Sequence, residues 1–466
     1  MSRGWCGSGG GVAAGPRTSP ARAGASGPVA VLVVLGVLAA AAALAGCGGD
    51  AAPGAGAGSG GGAAAAGAGR VEAADPDDPA VALADSLLPR LEVLAGLPAR
   101  APLRLARRSR AELRRFVAAR LDEELPAERA GPLRDVYALL GVIPDTLDLR
   151  RLLLALYTEQ VAGYYDPVAD TLFLVDGMPA AQLDGILAHE LVHALQDQHA
   201  PLDSLIHRDR GNDRQTAAQA ALEGHATMVM LALSAERLTG RALDAGRLPD
   251  PATELAGAMA AQSAAFPVFA GAPPFIQRTL VFPYLQGASF VRHLWQSGAR
   301  GAAWPAPLGA DLPASTEQVL HPAEAFTGGR DVPTELEVSM PQGSWSVRYQ
   351  GTLGEFETML VLEENGAGRE AAGWDGDRVL LMEDGGGSTA LWWLSVWDDA
   401  AAADRFAAAA ERLVAARTDR VGSVARFAVD ARPAVRVLLA PAGVALDRVP
   451  RPAALRLHVE AVSANR

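Results

Sequence analysis

The strongest chemical signal in the chain is five residues long: His189-Glu190-Leu191-Val192-His193, inside the mostly apolar run Leu183 to Leu195. On a helix, positions four apart lie about one turn apart on one face, so the two imidazoles stack with Glu190 beside them. Two neutral ring nitrogens suit zinc, and a neighbouring carboxylate suits deprotonation of a metal-activated water. With only 8 histidines in 466 residues, a chance HExxH has odds on the order of one in a hundred. The chemistry indicated is metal-assisted hydrolysis. A helix carrying two histidines and no metal is the plain alternative.

Catalytic zinc usually takes three protein ligands plus water, so a third ligand is required. His199, Glu223 and His225 compete for the place. His199 stands ten residues after His189, the metzincin spacing, but that arrangement needs glycine at the position of Gln196 to turn the chain out of the helix. If Ala194 to Gln198 stays helical, His199 is rotated about 120° from His193 and displaced roughly 9 Å along the axis. Glu223 lies in Ala220 to Thr227, within the next long helical pattern, Arg214 to Leu238. It completes a His2Glu set if the two helices pack face to face, and the small residues around it favour close approach. His225, two positions on, points roughly the opposite way, so both cannot serve one ion. A tetrahedral oxyanion needs a further donor, for which Tyr164, Tyr165, His225, Tyr284 and His321 qualify by chemistry. Tyr284 and His321 rank first because they fall in downstream motifs. For orienting a ligand imidazole, Thr227 and Asp197 are the candidates.

Periodicity supplies the elements that must hold these groups. Helical patterns run from Val81 to Leu94, where Pro89 is a candidate break, from Arg110 to Leu121 and from Leu149 to Val161. Gly163 to Pro167 reads as a turn and Thr171 to Val175 as a strand. An exposed strand at that place, just before the HExxH helix, would let an extended peptide pair by backbone hydrogen bonds over the metal. Beyond Gly328 to Thr334 the composition shifts to short strands, Arg378 to Met382, Leu391 to Val396, Arg426 to Val429 and Val435 to Leu439. The Ala400 to Ala416 helix interrupts them, capped by Asp398-Asp399. Trp392, Trp393 and Trp397 are expected in its core rather than in a sugar site. The expected architecture is therefore α+β. A mainly helical, zincin-like domain (76–335), with a short edge strand before the HExxH helix, precedes a small α+β domain (345–466).

The N-terminus points outside the cytoplasm. Val29 to Leu44 is sixteen apolar or small residues preceded by Arg17 and Arg22, which fits a signal peptide better than a spanning helix of about twenty. Leu44-Ala45-Gly46-Cys47 resembles the lipobox of bacterial lipoproteins, implying cleavage after residue 46 and a lipid on Cys47 that anchors the protein to a membrane. Cys6 then leaves with the signal, so the mature chain forms no internal disulfide. Residues 47–75, nearly all Gly and Ala at first, read as a flexible tether. Every basic residue is arginine, which excludes Schiff-base and phosphate-loop lysines. Loss of residues 1–46, with three arginines and no acid, takes the net charge from -12 to -15, so nucleic acid is not an expected partner.

HELVH followed by a Glu-bearing helix resembles the gluzincin class of metallopeptidases. Glu159 to Pro167, HELVHALQDQH, ALEGHAT, Pro283 to Gly287 and Ser315 to Pro322 are similar to segments of uncharacterised exported bacterial metallopeptidase-like proteins. The resemblance covers roughly residues 100–330. It implies His189, His193 and Glu223 as zinc ligands, Glu190 as general base and a peptide or protein as substrate. The chain departs from the thermolysin pattern at Thr227, where that pattern has an Asp. The rival expectation is an inactive zincin-like envelope lipoprotein that only binds peptides or proteins; Glu190, which such a binder does not need, favours catalysis.

Overall fold

The computed structural model describes residues 33–35, 70–205, 212–242, 244–262, 265–297, 306–341 and 343–459. Cys47, the lipobox and most of the expected signal and tether lie outside them. No helix among the described residues is long and apolar enough to cross a membrane. The chain is α+β, with the strands gathered into two five-stranded sheets and one two-stranded ribbon.

The first sheet runs in the order β1 (Val33–Leu35), β4 (Val161–Asp166), β5 (Thr171–Val175), β3 (Leu103–Arg108), β2 (Val71–Ala73). The end of the expected tether therefore enters the sheet: Val71 is buried, pairs in parallel with Leu103, and its N–H donates to Asp85 at 2.8 Å. Beside the sheet stand α1 (Pro79–Ala95), α2 (Arg110–Glu124) and α4 (Leu149–Gln160), while α3 (Ala127–Leu139) packs on α4 and on strands of the C-terminal part. Asp78 caps α1, and Gly96 ends it with φ +66°. Pro89 does not divide α1. A reciprocal Ser109–Glu112 box starts α2.

The strand before the HExxH helix differs from its expected place. β5 is interior, hydrogen-bonded to β3 on one side and to β4 on the other. Val161 to Asp166, read from sequence partly as helix end and partly as turn, is a strand, because it forms a hairpin with β5 through residues 167–170. β4 is the strand farther out, and Val33 to Leu35 pair antiparallel with it.

Three long helices form the centre: α5 (Leu183–His199), α6 (Asn212–Thr239) and, after the shorter α7 (Pro251–Gln262), α8 (Pro274–Ser297). α6 and α8 touch backbone to backbone. A Cβ added at Gly224 would lie 2.1 Å from the Gly287 carbonyl carbon, and one at Gly287 would lie 2.0 Å from the Ala220 oxygen. The close approach expected from the small residues near Glu223 thus includes α8 as a partner.

After α9 (Thr316–Leu320) come β6 (Thr334–Ser339), β7 (Ser346–Gly351) and α10 (Gly354–Glu364). The second sheet follows in the order β10 (Arg420–Val429), β11 (Arg432–Pro441), β9 (Thr389–Trp397), β8 (Trp374–Glu383), β7, all antiparallel, with α11 (Ala400–Ala416) against it. β6 pairs with β12 (Ala453–Val459) as the ribbon. Alternation along β9 sends Trp393 and Trp397 to the face that holds Phe406 of α11, and Trp392 and Leu394 to the opposite core with Leu336. All three tryptophans are buried, as expected of core residues. The α11 face of this sheet shares one continuous apolar core with the helical part.

Candidate metal centre

His189 and His193 sit four positions apart on α5, and Glu223 faces them from the middle of α6; all three are buried. Nε2 of His189 lies 3.0 Å from Oε2 of Glu223, and Nε2 of His193 lies 3.3 Å from the same oxygen. Each residue offers one ligand atom to a group in which all atoms fall within 4.8 Å of one another. Donors about 2.1 Å from a tetrahedral zinc stand about 3.4 Å apart, so these separations fit. The donor set of two imidazoles and a carboxylate is one that zinc takes, and among the described residues Glu223 Oε1, which is buried, has no hydrogen-bond partner.

Charge in the metal-free cluster is divided. Burial holds His189 neutral, down to about 4. Burial also opposes a charge on His193, but the Glu223 carboxylate outweighs it and pushes that imidazole up to about 9. Glu223 loses by burial and gains more from the two histidines, which keep it ionised below the usual carboxylate range.

Gln196 orients His193. Its amide nitrogen lies 3.0 Å from the Leu222 carbonyl, which only accepts, so the NH2 must face that way and Oε1 must face His193. His193 then donates from Nδ1 to Gln196 at 2.8 Å, so the proton a metal would displace is the one on Nε2, which faces Glu223. The second amide hydrogen reaches Nδ1 of His225 at 3.0 Å, and burial keeps His225 neutral, down to about 3. Neither Thr227 nor Asp197 orients either imidazole: the Thr227 hydroxyl is buried without a hydrogen-bond partner among the described residues, while Asp197 accepts from Tyr165 and from the Leu202 N–H.

The remaining expected residues separate cleanly. His199 ends α5 and bonds the Pro98 carbonyl at 2.8 Å, apart from the cluster. Tyr164 stacks on Phe116 and pairs with Arg108, and Tyr165 bonds Asp170 and Asp197. His321 lies against the C-terminal unit, with its Nε2 2.8 Å from Glu355 on α10, and is not part of the cluster. Tyr284 does come to the cluster. Its ring centroid is 6.2 Å from that of His189, and its phenol, which burial and the Glu223 and Glu190 carboxylates hold in the protonated form, interacts with Glu223. Tyr284 stands on α8 one turn before Gly287, so the Gly224–Gly287 contact sets its approach.

Two neighbours of the cluster carry little signal in the sequence. Gln196 is polar in an apolar run and one turn past His193, which is the only signal that marked it. Tyr157, on α4, feels the Glu223 charge and, with Tyr284, lines a cavity of about 60 Å³ walled by Leu153, Phe275 and Pro283. On the sheet side, β4 packs on α5 at Gly163, where a Cβ would lie 2.6 Å from Ile186 Cγ2 and 3.5 Å from Glu190 Cγ.

A family model described as Domain of unknown function (DUF8575) matches residues 346–456, the C-terminal unit. No curated protein and no solved structure matches the chain.

Proposed function

We propose that the chain is a zinc-dependent peptidase, carried on the bacterial envelope by a lipid at Cys47, with His189, His193 and Glu223 as ligands. The observation that carries the proposal is the convergence of those three buried donors from two helices around a shared point, with Glu190 on the same turn as both histidines. A zinc ion there supplies Lewis acidity toward a carbonyl and acidifies water.

The residues of the chain then divide the work. Glu190 accepts a proton from the attacking water and returns it to the leaving nitrogen. Gln196 fixes the ring and tautomer of His193. Tyr284, kept protonated by burial, donates to the charge that develops on the substrate oxygen. β4 offers the main-chain rail for an extended peptide; its pairing with Val33 to Leu35 supports an outer edge able to take an added strand. Removal of residues 1–46 frees that edge.

The ligand assignment is tested by zinc content of the purified full chain. Glu223→Ala and His193→Ala are expected to lose the metal and His199→Ala to keep it. Zinc retained in Glu223→Ala and lost in His199→Ala would overturn the assignment.

A further inference from the structure

The seam between the helical part and the C-terminal sheet gathers buried carboxylates far from HExxH in sequence, and most of them are satisfied. Asp213 accepts from the Thr316 N–H at 3.2 Å and from its hydroxyl at 2.5 Å. Asp377 takes the N–H groups of Leu353 and Gly354 at 3.0 Å. Asp375 accepts from Thr334 at 2.9 Å and pairs with Arg432, and Glu355 faces His321. Three acids in the same region lack such partners: Glu317 on α9, Asp331 on the segment before β6, and Asp398 just past β9. Among the described residues, none of their carboxylate oxygens accepts a hydrogen bond, yet each offers one oxygen within 4.8 Å of the other two.

Glu317 is the decisive member. It is 4% exposed, and its Oε2 is buried with no hydrogen-bond partner among the described residues. A buried carboxylate without compensation is expensive: burial, then the Glu355, Asp331 and Asp398 carboxylates, push the Glu317 carboxyl up to about 10, so a bound cation would displace its proton. The cations nearby bond other groups, Arg432 to Asp375, His321 to Glu355 and Arg330 to the Leu312 carbonyl, although the Arg432 charge still favours ionised Asp331 and Asp398 from a distance. Asp398 is exposed, which leaves an ion a way in from solvent.

We propose that Glu317, Asp331 and Asp398 form a second metal site, for a hard divalent cation of the calcium or magnesium class, that ties α9 and the segment before β6 to the end of β9. The donors are carboxylate oxygens alone, without nitrogen or sulfur, which selects hard cations over zinc. The three residues come from segments separated by up to 81 positions, so the ion is a clamp between the helical part and the C-terminal unit. Its existence does not depend on the peptidase reading.

The test is calcium and, separately, magnesium titration by calorimetry, with parallel thermal melts, on the full chain stripped by chelator and reloaded with one equivalent of zinc. The proteins are wild type, His193→Ala, Asp331→Asn/Asp398→Asn and Glu317→Gln. The expected result is saturable binding of one calcium or magnesium ion per chain in wild type and in His193→Ala, with a raised Tm. Both the binding and the Tm rise are lost in Asp331→Asn/Asp398→Asn and in Glu317→Gln, whichever of the two folds. No saturable binding of either ion to wild type, or binding that survives in the carboxylate variants, would overturn the site.

Discussion

At the scale of single residues, Glu190 and Gln196 separate chemistry from construction. Glu190 adjoins His189 on α5 but is not one of the three residues that converge as a ligand set. Glu190→Gln is therefore expected to keep zinc while lowering kcat by about 10²–10⁴-fold, the range for loss of a general base. Parallel zinc analysis and single-turnover kinetics check it. Gln196 acts one bond further out. Gln196→Leu removes the acceptor of the His193 Nδ1–H and strands the Leu222 carbonyl, so zinc affinity is expected to fall about 10–100-fold, measured by competition with a chelating dye. Gln196→Glu keeps an acceptor for His193 and is expected to recover much of the affinity.

At the scale of elements, the site depends on how closely helices can approach. Glu223 and Tyr284 lie on α6 and α8, which meet at Gly224 and Gly287 with no room for a methyl group. Gly287→Ala forces a Cβ against the Ala220 carbonyl and is expected to cost about 1–3 kcal/mol, the range for overpacking. Because the added methyl pushes α8 from α6, zinc affinity is expected to fall with stability; unfolding in urea with bound-zinc measurement checks both. A second element-level prediction concerns Glu357 on α10, which bonds the Tyr137 hydroxyl at 3.2 Å in a buried position. Burial, reinforced by Asp213 and Asp377, pushes its carboxyl up to about 8. The unfolded chain releases that proton near pH 4, so the native state holds one proton more between about pH 4 and 8 and loses stability as pH rises through that window. Glu357→Gln is expected to flatten the decline of Tm between pH 5 and 8. An unchanged slope would place its origin elsewhere.

At the scale of the whole molecule, α+β architecture and the HExxH helix were legible in the sequence because both rest on local periodicity. The strands at Leu391 to Val396 and Val435 to Leu439 and the helix Ala400 to Ala416 stand where alternation and the Asp399 cap put them. Facts set by long-range pairing were not legible. β4 reads as helix end and turn because Gly163 and two tyrosines carry no clear alternation, and only its hairpin with β5 makes it a strand. β5 was expected at an edge because nothing near it announces that β2 and β3, about 70–100 residues earlier, pair alongside it. The HExxH spacing alone marks two candidate ligands. Choosing Glu223 over His199 needs the facing of α5 and α6, and finding Gln196 needs the Leu222 carbonyl that orients its amide. His321 drew attention by its motif, but its partner is Glu355 on α10, an element the sequence reading did not contain.

The central claim, zinc-dependent peptide hydrolysis at the His189–His193–Glu223 cluster, is tested most directly by cleavage of a casein or mixed peptide library by the purified full chain. It is measured as isolated, after chelation, after return of zinc, and in Glu190→Gln. The expected result is one zinc per chain at this cluster, cleavage lost on chelation and restored by zinc, and none above background in zinc-loaded Glu190→Gln. Zinc bound at one per chain with no cleavage, or cleavage unchanged in Glu190→Gln, would contradict it.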